Sequence, residues 1–126
     1  MLSLIRRIYF HCSFRFGYEI SPVTKIGGGL RLPHWAGGII IHNNAIIGEN
    51  CEIMQGVTIG NNALKSRNDV ATIGDNVTLC AGCKVIGNVK IGNNVIVGAN
   101  TVVVKDIPDN VIVAGVPAKI IKHLYD

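Results

Sequence analysis

The sequence predicts an all-β solenoid of three-sided coils, and three observations predict it. Aliphatic residues recur at every sixth position: Ile20, Ile26 and Leu32; then Ile41, Ile47, Ile53 and Ile59; then Ile73, Leu79, Val85, Ile91, Val97 and Val103. Four places after most of these stands a small or β-branched residue, as at Thr24, Ala45, Cys51, Val57, Ala63, Val77, Cys83, Val89, Val95 and Thr101. Gly, Asn and Asp fill the places between, as in IGDN, IGNN and VGAN. Neither an amphipathic helix nor an alternating strand has a period of six. A coil with three flat faces does, one hexapeptide to a face, with Gly or Asn turning each corner. Stacked coils then satisfy one another's backbone at a spacing of about 4.8 Å. The composition fits: 48% hydrophobic, 16% charged and fifteen Gly in 126 residues. Short Val/Ile strands make such a chain, not a Leu/Phe-packed bundle.

Residues 1–18, MLSLIRRIYFHCSFRFGY, precede the repeat and read as a short amphipathic lead-in docked on the first coil. Their charges interrupt the apolar run and no small-residue cleavage site follows, so they do not resemble a signal peptide. Peripheral contact with an anionic membrane is a weaker second reading of this segment. No apolar stretch is long enough for a transmembrane helix, and a cytoplasmic location is expected. Residues 19–126 form the repeat domain with its end cap.

Two insertions break the period. Between Leu32 and Ile41 three extra residues enter around His34-Trp35-Ala36-Gly37-Gly38; between Ile59 and Ile73 eight extra residues make a protruding loop near Asn62 to Thr72. Loops carried on a rigid scaffold are where function concentrates. After Val103 the pattern stops, and VIVAGVPAKIIKHLYD is expected to cap the end. The spacing Cys80-Ala-Gly-Cys83 suggests metal or redox chemistry, but the repeat accounts for it, with Cys83 in a small interior slot. No second ligand pair follows, so no metal is expected. The net charge of +4 is scattered, with neither a basic stripe nor an RNA-binding aromatic motif, which argues against nucleic acid.

The stretches IGGGLRLPHWAGGIII, IIGENCEIMQGVTIG, VKIGNNVIVGANTVVVKDIP and VIVAGVPAKII resemble the hexapeptide acyltransferases, particularly their serine acetyltransferase-like branch. The resemblance implies a left-handed parallel β-helix, a homotrimer, and acetyl-CoA in the groove between subunits. It places the catalytic His at His34, which as general base takes the proton of a hydroxyl as that attacks the thioester. Backbone N–H groups nearby would hold the oxyanion. The family's orienting carboxylate falls on Glu19, one methylene longer than the usual Asp, and Pro33 stands where an Asp often precedes the His. Small residues against the pantetheine arm are by position Ala81, Gly82 and Ala99, with Gly60 and Asn61 opening the loop beside the thiol. Lys105 and Lys119 are candidates for the CoA phosphates.

The acceptor is where the chain departs from the branch. The loop NNALKSRNDVAT lacks the Arg-His pair of serine acetyltransferases, with Asp69 and Val70 in its place; Arg67 is the nearest substitute. The large helical N-terminal domain and the Ile-ending tail are also missing. These differences favour a sugar or polysaccharide hydroxyl, with serine the alternative. Trp35 and His42 are candidate acceptor contacts, while His11 and His123 have no evident role. The γ-class carbonic anhydrases share this β-helix, but their paired His on one coil is missing. A non-catalytic scaffold is the remaining class.

Overall fold

The computed structural model describes residues 2–125. A helix α1 (Leu2–Phe16) is followed by fourteen short strands: β1 (Glu19–Ile20), β2 (Lys25–Ile26), β3 (Ile40–Ile41), β4 (Ile46–Ile47), β5 (Glu52–Ile53), β6 (Thr58–Gly60), β7 (Thr72–Ile73), β8 (Thr78–Leu79), β9 (Lys84–Ile86), β10 (Lys90–Ile91), β11 (Ile96–Val97), β12 (Val102–Val103), β13 (Val111–Ala114) and β14 (Lys119–His123). From β3 to β12 successive strands go to successive faces, and every third strand returns to the same one. Face A stacks β1-β3-β6-β9-β12, face B stacks β2-β4-β7-β10, and face C stacks β5-β8-β11-β13-β14. All pairs are parallel except β13 with β14.

Register places like on like. On face A, Ile41 pairs with Ile59 and Ile59 with Val85; on face C, Ile53 pairs with Leu79 and Leu79 with Val97. These inward residues are buried, as are Val57, Val77, Cys83, Val95 and Thr101 in the small slots, making one continuous core. One slot differs from the expectation: Ala63 is exposed in the loop and Ala71 takes its place, 1% exposed. The insertion shifts the slot to the end of the loop, because the residue two places before Ile73 enters face B. The repeat also runs past Val103: Ile107 bridges to Ile91, and Val111 and Val113 are buried on face C. The spacing contracts at Val103–Ile107, which hides this last coil from a search for sixes.

Two of the three corners are stacked turns that need positive φ. Asn50, Asn76, Asn94 and Asn110 turn from face B to face C with φ of 55–60°, and each N–H donates to a carbonyl one coil below. A parallel side-chain ladder runs beside them: Asp75 Oδ1 accepts from Glu49 N, Asn93 Oδ1 from Asp75 N, and Asp109 Oδ1 from Asn93 N, at 2.7–2.8 Å. From face C to face A the stack is Gly38, Gly56, Gly82 and Asn100. Here a Cβ on Gly38 would lie 3.4 Å from Gly56 Cα, so neighbouring turns nearly touch.

The chain ends by folding back. Val102 N donates to Gly115 O, Ala118 N donates to Val102 O, and β14 then runs antiparallel along β13. At the other end, the lead-in is a helix seated loosely against the outside of face A. Only Tyr9, Cys12 and Ser13 of its described side chains are even half-buried. No helix among the described residues is long and apolar enough to cross a membrane.

Candidate functional site

His34 lies in the turn that links Leu32 to Ile40, at the corner between faces C and A. The three inserted residues widen this first turn beyond those stacked above it. Trp35 N donates to Leu32 O at 3.1 Å, and Trp35 takes positive φ, 64°. Gly38 closes the turn and its N–H donates to Gly17 O. His34 and Trp35 therefore both project into solvent from a backbone held at each end, Trp35 at 85% exposure.

The same edge carries three of the sequence candidates above His34. Gln55-Gly56, Ala81-Gly82 and Ala99-Asn100 stack there, joined by Gly56 N to Gly37 O, Gly82 N to Gln55 O and Asn100 N to Ala81 O. The result is an edge of small residues and backbone rising from His34. Lys84 reaches across it and donates from Nζ to Gly56 O at 2.7 Å.

The other candidates sit on a different edge. Gly60 and Asn61 open the loop at the corner between faces A and B, and His42 occupies that corner one coil below. The loop is an ordered turn: Asn62 N donates to Asp69 O, and Lys65 and Ser66 N donate to Asn62 O. Asn44 Nδ2 donates to Asn68 Oδ1 at 2.9 Å and draws the loop down over His42, whose Nδ1 accepts from Asn44 N. Arg67 is exposed beside that bond, and Leu64 stands at 97% exposure. Asn44 and Asn68 were missed from the sequence, since a polar pair 24 residues apart leaves no local signal. Val70 is 7% exposed and turned inward, and Asp69 lies against Gly87, so neither of these loop positions offers a cation to an anionic group.

Lys105 and Lys119 do come together, lining a cleft of about 260 Å³ with Asp106, Pro108 and Pro117 at the C-terminal end. Glu19 begins β1 on face A, faces outward, and pairs in register with Ile40. No carboxylate oxygen of Glu19 comes within 4.0 Å of a His34 nitrogen; the ion pair among the described residues is Arg31 with Glu52. Instead Glu19 lines a cavity of about 730 Å³ between α1 and face A. Tyr9 borders that cavity, with its phenol pushed above its ordinary pKa chiefly by burial. Burial also pushes the Cys83 thiol up to about 12, which makes it an inert core residue. No cluster of His, Cys, Asp or Glu suited to a metal occurs among the described residues.

Residues 71–105 match the family described as bacterial transferase hexapeptide (six repeats). A serine acetyltransferase from Synechococcus elongatus is 40% identical over 121 residues, covering 95% of this chain and 49% of that protein. A serine acetyltransferase from Brucella abortus, solved in complex with coenzyme A, superposes with a TM-score of 0.81 at 38% identity, covering 88% of this chain and 44% of that one. The soybean enzyme complexed with serine gives 0.80 at 35% identity, covering 86% and 44%. The fold is thus a left-handed parallel β-helix of hexapeptide repeats. Over most of its own length the chain is similar to the serine acetyltransferase-like branch of the hexapeptide acyltransferases, and it spans about half the length of the curated relatives it matches.

Proposed function

We propose that the chain transfers acetyl from acetyl-CoA to a hydroxyl acceptor, with His34 as general base. The carrying observation is the edge of close-stacked small residues that rises from an exposed His34, beside which a pantetheine arm can lie against backbone amides. In the step, the acceptor oxygen bonds to the thioester carbonyl carbon and the carbon–sulfur bond breaks. The hydroxyl proton passes to His34 and from there to the departing CoA sulfur, so no acyl-enzyme is required. Ala81, Gly82 and Ala99 border the arm. Lys105 and Lys119 meet phosphate oxygens as point charges.

Serine is the first acceptor to test, because the relatives that match over most of this chain are named for it. One observation favours a second reading, a sugar hydroxyl: Val70 is turned inward and Asp69 is acidic, which leaves an amino-acid carboxylate only Arg67. A homotrimer suits both readings. The His34 edge and the loop edge lie on opposite sides of face A in one chain, and a neighbouring copy would bring its loop to the first copy's His34. Glu19 in this reading orients the imidazole once substrate closes the gap between them.

The experiment is thiol release from acetyl-CoA with serine and with a panel of sugars, for the natural chain and His34→Ala. Removing a general base costs about 10²–10⁴ in rate. The expected result is turnover that falls by that factor in the variant, while CoA binding by calorimetry is retained. Equal turnover in the two proteins removes His34 from the chemistry, and absence of CoA binding removes acetyl transfer altogether.

A further inference from the structure

Trp35 is a side chain that the needs of the fold do not explain. Its backbone has φ of 64°, in the left-handed region. The other five non-Gly residues found there are all Asn, which tolerates that region, whereas a bulky indole is strained in it. Packing does not offset the strain: Trp35 is 85% exposed, and its ring pairs with no other ring or cation among the described residues. The segment is nonetheless fixed. Leu32 and Ala36 pack against the core on either side, while Trp35 N and Ile39 N donate to Leu32 O and Ala36 O. A Cβ on Gly37 would meet nothing within 4 Å, so the space over this turn is open. His34 is the residue immediately before Trp35, and consecutive Cα atoms lie about 3.8 Å apart. A ring-sized molecule resting on the indole is therefore within reach of the imidazole.

From this geometry we infer that Trp35 is the platform of the acceptor subsite and that it carries a neutral glycosyl ring. The indole offers a broad apolar face that matches the C–H face of a pyranose, and a hydroxyl at the edge of a ring seated there lies beside His34. A free amino acid is served less well. Two cations flank the turn and both are engaged: the Arg31 guanidinium with the Glu52 carboxylate at 3.1 Å, and the Lys84 ammonium with Gly56 O at 2.7 Å. An amino acid's carboxylate would compete with those partners, whereas a neutral ring needs neither cation. The inference rests on the acetyl-transfer reading above and assigns the acceptor within it. The glycosyl hydroxyl oxygen gains the acetyl group, CoA leaves as the thiol, and the proton moves between them through His34.

Trp35 is the one tryptophan of the chain, so intrinsic fluorescence reports on the platform directly. The test is a fluorescence titration of the whole chain with a panel of methyl glycosides and with serine, alongside acetyl-transfer kinetics and light scattering. Two variants accompany it. Trp35→Phe keeps a ring, and Trp35→Gly removes it while freeing the backbone at positive φ. The expected result is a spectral shift with at least one glycoside and none with serine. For that glycoside, Trp35→Gly is expected to raise KM about tenfold and Trp35→Phe about twofold. The KM for acetyl-CoA and the mass of the particle are expected to stay the same in both variants. Silence from every glycoside overturns the inference, and so does a glycoside KM indifferent to Trp35→Gly. A smaller particle for Trp35→Gly overturns it too, since the indole would then be a contact between copies. Serine turnover without glycoside turnover overturns it while leaving acetyl transfer standing. Loss of CoA binding in the natural chain would instead overturn the reading beneath it.

Discussion

Cys83 shows how a single side chain is governed by the coil around it. It is fully buried between Val57 and Thr101 in the slot column, and burial raises its thiol pKa from 9.0 to about 12. In the unfolded chain the thiol ionises near its ordinary value, so between pH 9 and 12 the folded state holds a proton that the unfolded state has lost. Stability is therefore complete below pH 9 and falls as pH rises through that window. Urea melts from pH 8 to 11 should show this decline, and Cys83→Ala should flatten it. Its burial was legible as a position in the repeat, which is why the CxxC spacing did not mislead. The partners of His34 and Glu19 were legible only as positions. Their separation depends on how far a widened turn swings from the prism, and no spacing encodes that swing.

At the scale of the corner turn, backbone conformation is the controlling quantity. Gly82 has φ of 70°, and an added Cβ would strike Asn100 Oδ1, whereas Gly28 has an ordinary φ and open space around it. Gly82→Ala should cost about 1–3 kcal/mol in urea denaturation, and Gly28→Ala should stay within about 0.5 kcal/mol. If the two substitutions cost the same, strain at the stacked corner is not what selects glycine. The strand faces were readable from the sequence because, outside the two insertions, the inward strand residues keep a spacing of six through Val103. Helix α1 was less so: its Phe and Arg residues interleave around the whole helix, so no stripe revealed that its Tyr9–Phe14 segment walls a cavity. The coil at Ile107–Val113 was obscured by the shortened step after Val103 and by Pro108.

For the molecule as a whole, the separation of the His34 edge from the loop edge makes assembly part of the proposed activity. Three copies of a 13.5 kDa chain predict a particle of about 40 kDa by light scattering. A particle at the mass of one chain that still transfers acetyl would show that both edges are not needed. The antiparallel return of β14 bears on a different property. A stack of parallel coils has an open rung at its end, onto which the first coil of another molecule can add without limit. Here the last rung of face C runs the wrong way for that addition and presents Lys119, Lys122 and His123 along an exposed strand. Ala118 and Gly115 occupy the hydrogen-bonding groups of Val102 on face A. Reversed polarity and charge together stop end-to-end growth, so the tail acts as a terminator against filament formation in a fold otherwise suited to it.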